Sequence, residues 1–301
     1  MSRNSQPWTH RMPAPPSEIV ITAELVADLV ASQYPALSGP VSLVAHGWDC
    51  DTYRLGDSRA VRLPRRAAGV PVIESEQRWL PRLAKGLPLP VPAPEAIGVP
   101  GTGYPWPWSI VPWFDGRTSD EETVQERDRF AVPLARFLTA LHRPAPASAP
   151  RSSYRGVDLG TLTSSIGRRL EFGSPRIARA WSDAVDAGAA PARIWLHGDL
   201  HPANVVVGET GQIAAVIDFG DLATGDPAVD VAAAWLFFSA EGRARFRSAL
   251  AGRELSDAHL WRRARGWAVA FSLGLIHDSD GSARMVELGR AGLAAIEADR
   301  C

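Results

Sequence analysis

His197-Gly-Asp-Leu-His-Pro-Ala-Asn204, followed by Val216-Ile-Asp-Phe-Gly220, decides how this 301-residue sequence is read. Short apolar runs flank both segments: Ile194-Trp-Leu, Val205-Val-Val and Ala214-Ala-Val-Ile, each of strand length. Asp199, Asn204 and Asp218 therefore stand at strand ends or in the loop between them. Such a set suits phosphoryl transfer. One carboxylate, Asp199, accepts the proton of an attacking hydroxyl, while the Asn204 amide oxygen and Asp218 hold Mg²⁺ against nucleotide phosphates. Mg²⁺ takes hard oxygen ligands and keeps several waters, so two protein ligands suffice.

Outward from this core, the chain divides in texture. Thr22 is placed to cap a helix bearing Leu25, Leu29 and Val30. Val41-Ser-Leu-Val-Ala, Thr52-Tyr-Arg-Leu and Ala60-Val-Arg-Leu read as strands of a meander, with turns at Gly47 and Gly56-Asp57. Residues 73–83 read as a helix. Leu87-Pro-Leu-Pro-Val-Pro-Ala-Pro must be extended, because successive prolines exclude helix. Trp108-Ser-Ile-Val-Pro-Trp-Phe is a further strand. Alanine-rich helices follow over 130–142, 226–238 and 259–276. The expected architecture is α+β, with a tail over 1–17, an antiparallel-sheet lobe over 18–113 and a larger helical lobe over 114–301.

Composition sets limits on partners. Thirty-two basic and 33 acidic residues leave a net charge of −1, which argues against a broadly cationic nucleic-acid binder. No run approaches the ~18 apolar residues of a membrane span. Cys50 and Cys301 match no zinc spacing and read as two thiols in a reducing cytoplasm. Lys85 is the single lysine; the other 31 basic residues are arginines.

The Asp199-to-Asn204 interval and the Asp218-Phe-Gly triplet, about 20 residues apart, resemble the catalytic loop and metal triplet of aminoglycoside phosphotransferases. These small-molecule kinases share the two-lobed protein-kinase fold, and the likeness runs from about Val41 to Ile276. It implies ATP or GTP as phosphate donor, Mg²⁺, and a small-molecule hydroxyl as acceptor. Gly225-Asp-Pro-Ala-Val-Asp230 resembles the family's next segment, with Asp226 as a helix cap and Asp230 bracing the catalytic loop. His197 and His201 are expected to hold that loop rather than a metal.

On the nucleotide side, the resemblance assigns the phosphate-gripping position to Arg62, since Lys85 falls beyond the following helix. Glu76 is its expected partner, with Glu74 as the alternative. Gly47, Trp48 and Asp49 would shape the loop over the phosphates. Arg65 and Arg66 read either as further phosphate contacts or as a surface turn. Ile110, Val111 and Trp113 would line the hinge to the base, with Val111 or Trp113 donating, because Pro112 has no N–H.

For the acceptor, Asp278 and Asp280 are candidate partners of substrate ammonium groups. The resemblance puts an aminoglycoside antibiotic first, which would make the chain a resistance enzyme. A macrolide comes second, on Trp235, Trp261 and Trp267, and a hydroxylated metabolite third. A pseudokinase that binds nucleotide without transfer is the reading from another class. Five residues between Asp218-Phe-Gly and Asp226 leave no long activation segment, which disfavours a protein substrate.

Overall fold

The computed structural model describes residues 16–170, 173–188, 190, 193–250, 259–278 and 282–299. Asp280, Cys301 and all but the last two residues of the expected tail lie outside them. Thr22 caps α1 (Ala23–Gln33), its hydroxyl accepting from the Leu25 N–H at 3.2 Å. β1 (Val41–His46), β2 (Cys50–Leu55) and β3 (Arg59–Pro64) form the expected meander. After α2 (Val70–Ala84), β4 (Ala96–Gly98) and β5 (Trp108–Pro112) complete an antiparallel sheet of order β1-β2-β3-β5-β4.

The two-residue period along β3 sorts its side chains. Val61 and Leu63 enter a core with Tyr53, Leu55, Ile110 and the α1 residues Val26, Leu29 and Val30. Arg62 consequently lies on the opposite face, where it meets Glu76 of α2.

The second lobe is mainly helical. It runs through β6 (Arg117–Thr118), α3 (Val124–Arg127), α4 (Ala131–Leu141), α5 (Thr163–Leu170) and α6 (Pro175–Val185). Next come β7 (Ile194–Leu196), β8 (Val205–Val207), β9 (Ile213–Val216) and β10 (Ala223–Gly225). α7 (Ala228–Val231), α8 (Ala233–Phe237), α9 (Ala240–Leu250), α10 (Leu260–Asp278) and α11 (Ala283–Ala298) finish it. α10 packs against α6, α7 and α11, and α4 against α9, around a core rich in Phe, Trp and Leu. β8 pairs with both β6 and β9, and β7 pairs with β10. The architecture is the expected two-lobed α+β fold.

One expected helix is corrected. Residues 226–238 are not continuous but break into α7 and α8 at Ala232, whose N–H reaches both Ala228 and Asp230 carbonyls. The apolar run Val231–Phe238 carries no period that would register such a tightened turn. Cys50 is buried, and burial pushes its thiol up to about 12, so it is protonated at neutral pH. Among the described residues no helix is long and apolar enough to cross a membrane.

Candidate active site

Strand β7 ends at Leu196 and β8 begins at Val205, so the loop between them joins the two small sheets of this lobe. Its turn depends on Gly198, whose φ is +87° and whose added Cβ would sit 2.5 Å from the Asp221 carbonyl oxygen. Fully buried Asp230 braces this turn. Its Oδ2 accepts from His197 N–H at 2.9 Å and its Oδ1 from Gly198 N–H at 2.8 Å. His142 Nε2 lies 2.9 Å from Asp230 Oδ2. Burial works to raise the Asp230 carboxyl, but the His142 hydrogen bond and charge, with the Gly198 N–H bond, outweigh it and hold the group down.

The other loop residues are fixed in turn. Asp199 N–H donates to His197 Nδ1 at 3.2 Å, which assigns the ring proton to Nε2, 3.0 Å from the Ile217 carbonyl. Asn204 Nδ2 donates to the Asp199 carbonyl at 2.9 Å and lies 3.3 Å from His201 Nε2. His197 and His201 thus hold the loop, and neither belongs to a metal-type cluster among the described residues.

The Asp199 carboxylate has a partner that the sequence reading missed. Arg155 Nη2 donates to its Oδ1 at 2.8 Å, and Arg155 Nε to Asp221 Oδ2 at the same distance. His201 Nε2 lies 3.5 Å from Asp199 Oδ2. Burial opposes ionisation, yet the Arg155 charge, then His201, holds Asp199 well below the usual carboxylate range. Arg155 belongs to a non-helical connection, 143–158, with no apolar period to place it. The one available signal was Ser152, whose hydroxyl accepts from Tyr154 and Arg155 N–H groups in a local turn.

Asp218 and Asn204 approach from neighbouring strands, because Ile217 N–H donates to the Asn204 carbonyl at 2.9 Å. Asp218 is exposed, has φ +61° and, among the described residues, receives only a long 3.4 Å bond from Gly220 N–H. The Asn204 amide nitrogen is engaged, which leaves its oxygen for a ligand. An amide oxygen and a free carboxylate are donors of the hard kind that Mg²⁺ takes, so the residues fit that ion.

On the facing lobe, Arg62 Nη1 meets Glu76 Oε2 at 2.5 Å, with Glu76 only 1% exposed. Glu74 is exposed and Lys85 stands in solvent at the end of α2, so both fall out of the site. Burial pushes the Glu76 carboxyl up against the opposing pull of Arg62. Its Oε1 is buried with no hydrogen-bond partner among the described residues.

Arg65 and Arg66 are not a solvated surface turn. Arg65 Nη1 donates to the Gly47 carbonyl at 2.9 Å, and Arg66 Nη2 to Asp49 Oδ1 at 2.7 Å, so they shape the Gly47–Asp49 loop. Burial, offset by Arg66 and reinforced by Asp221 and Asp218, raises the Asp49 carboxyl. Trp48 stands largely exposed at the loop's tip. In the hinge strand Ile110 and Val111 are buried. The Trp113 N–H donates to Ser58 O at 2.8 Å and is not available to a base, which corrects its expected role. Phe114 offers the next N–H, with no backbone partner among the described residues.

A model of the phosphotransferase enzyme family matches residues 40–267, most of the chain and both halves of this site. The chain belongs to the phosphotransferase enzyme family. It is accordingly a kinase-type enzyme. Among solved structures, the GDP complex of aminoglycoside 2'-phosphotransferase-IIIa matches with TM-score 0.67 at 17% identity, covering 92% of this chain and 99% of that one. Macrolide 2'-phosphotransferase MphH from Brachybacterium faecium matches with TM-score 0.62 at 21% identity, covering 93% and 99%. The GDP and kanamycin complex of APH(2")-IIIa gives 0.64 at 18%, covering 92% and 99%. These likenesses establish a shared fold. No curated protein sequence matches the chain.

In this phosphotransferase the residues expected at the acceptor end are disposed differently from the sequence reading. Both oxygens of Asp278 are taken by Arg169, at 3.0 and 2.8 Å. Asp226 accepts from Ala228 N–H at 3.0 Å, near its expected capping role, and also receives Arg263 at 2.5 and 3.2 Å. Trp267 is core. Trp235 and Trp261 line a cavity of about 510 Å³ with Arg243, Arg247, Arg262 and Arg265, which shares no residue with the catalytic loop.

Proposed function

We propose that this chain transfers the γ-phosphate of ATP or GTP to a hydroxyl of a small molecule, with Asp199 as general base. The observation that carries the reading is the braced loop: Asp199 is ionised and fixed by Arg155, the Asn204 amide nitrogen is bonded to its carbonyl, and Asp218 follows the residue whose N–H meets Asn204. Asn204 and Asp218 would hold Mg²⁺, which when bound supplies charge neutralisation on the phosphates. Arg62, kept charged by Glu76, grips phosphate from the sheet lobe and replaces the usual lysine with a planar, bidentate group. Gly47, Trp48 and Asp49 cover the phosphates, and Ile110 and Val111 back the base. The Phe114 N–H stands beside Val111 as a donor to the base, in place of Trp113, the alternative first named with Val111.

Asp199 accepts the acceptor's proton as the hydroxyl oxygen attacks phosphorus in line with the departing nucleoside diphosphate. The resemblance alone ranks an aminoglycoside antibiotic above a macrolide and a hydroxylated metabolite. A phosphate-transfer screen of these classes, with ATP and GTP in parallel, tests the proposal. Turnover of any acceptor that vanishes in Asp199→Ala supports it. Nucleotide binding without transfer to any acceptor supports the pseudokinase instead.

A further inference from the structure

We propose that Arg155 sets the charge class of the acceptor: it positions Asp199 and occupies the carboxylate oxygens an ammonium group would need, so the phosphorylated hydroxyl compound carries at most one positive charge. This deepens the phosphotransfer reading of the Asp199 loop and rests on it.

An acceptor bearing several amines needs carboxylate oxygens that accept hydrogen bonds. Apart from exposed Asp218, which is assigned to Mg²⁺, the described carboxylates of this region are already paired. Asp221 receives Arg155 Nε on Oδ2 at 2.8 Å and the Tyr154 hydroxyl on Oδ1 at 2.6 Å. Asp278, two helical turns beyond Phe271 on α10, is held on both oxygens by Arg169. Asp226 is held by Arg263. Arg155 takes Asp199 Oδ1, which leaves Oδ2, with His201 Nε2 3.5 Å away, to face the reacting hydroxyl. What a substrate meets beside that oxygen is the exposed Nη1 of the guanidinium, a donor that an ammonium group, itself only a donor, cannot pair with.

The guanidinium is itself fixed. It lies 4.6 Å from the Phe271 ring centroid and 5.5 Å from that of Tyr154, while two carboxylates hold its edge. Its remaining nitrogen, Nη1, has no partner among the described residues and is not buried. Arg155 is therefore a positioning residue that also faces the acceptor. In the transfer step the acceptor O–H loses its proton to Asp199 Oδ2. The new O–P bond forms as the bond from γ-phosphorus to the β,γ-bridging oxygen breaks, and the diphosphate leaves with that electron pair. Arg155 gains and loses nothing in this balance.

The test compares wild type, Arg155→Gln and Arg155→Lys on three acceptors: a tetra-amino aminoglycoside, a macrolide with one amine, and an uncharged polyol. Diphosphate release is measured with nucleotide Kd as the folding control. The segment is anchored independently, by Thr224 N–H on the Pro150 carbonyl and Asp226 N–H on the Gly156 carbonyl, so the variants should fold. Wild type should favour a low-charge acceptor over the tetra-amine by at least about 10-fold in kcat/KM. Arg155→Gln should lower kcat on that acceptor about 10-fold, leave nucleotide Kd unchanged and lower KM for the tetra-amine. Arg155→Lys should restore part of kcat and the discrimination, since it keeps the charge but not the two-carboxylate fork. Preference of wild type for the tetra-amine, or an unchanged acceptor ratio in Arg155→Gln, overturns the proposal. Absence of transfer from wild type to every acceptor overturns the phosphotransfer reading itself, and this inference with it.

Discussion

Replacing Asp230 by alanine should destabilise the protein by about 3–5 kcal/mol, the range for breaking a buried charged network by removing one partner. Asp230 is fully buried and accepts from the His197 and Gly198 N–H groups while facing His142. Each bond to a charged group is worth roughly 1.5–3 kcal/mol, and orphaned N–H donors add their own desolvation cost, so even non-additive bonds reach that range. Asp230→Asn keeps the shape but turns one acceptor into a donor facing another donor, and should cost about 2–3 kcal/mol. The assay is urea unfolding, read as a fall in midpoint at constant slope.

The pH dependence has a defined sign. The folded carboxyl is held below its unfolded value of about 3.9, so its contribution is complete above that pH and is lost as pH falls through the folded value. The deficit of Asp230→Ala against wild type should therefore be full at neutral pH and shrink on acidification. A deficit under about 1 kcal/mol at pH 7 would refute the bracing argument. So would a deficit that grows in acid.

Further outcomes concern the site itself. Asp199→Ala should lose at least about 100-fold in kcat with nucleotide Kd preserved, in a coupled diphosphate-release assay; near-normal turnover would move the general base elsewhere. Arg62→Ala should raise the nucleotide KM, and an unchanged KM would transfer the phosphate contact to another arginine. Asp218→Asn should shift half-maximal activity to higher Mg²⁺, read by titrating the metal at fixed nucleotide. Gly198→Ala forces a side chain into φ +87° within 2.5 Å of a carbonyl, and should cost more than about 1 kcal/mol in urea unfolding.

Much of the fold was legible because its signals are local. Thr22 capping, the period of two in β3 and the proline run each depend on neighbours in sequence. Asp199, Asn204 and Asp218 were legible for a related reason, being carried by one loop and one strand end at fixed spacing. Arg155 was not, because a side chain in an irregular connection reaches the site only through tertiary packing, and no period encodes that. His142 falls in the same class: it caps the C-terminal end of α4 and meets Asp230, 88 residues away, only once the lobe is packed. The Trp113 error arose from the sheet register, since the hydrogen bond to Ser58 depends on which strand lies beside β5.

The exchange of lysine for Arg62 also has a consequence for covalent chemistry. Reagents that acylate or sulfonylate an amine beside bound nucleotide find no lysine there, because a guanidinium stays protonated and inert toward them. The single ε-amino group, on exposed Lys85 at the end of α2, instead offers an attachment point for a dye or a surface that leaves the phosphate grip untouched.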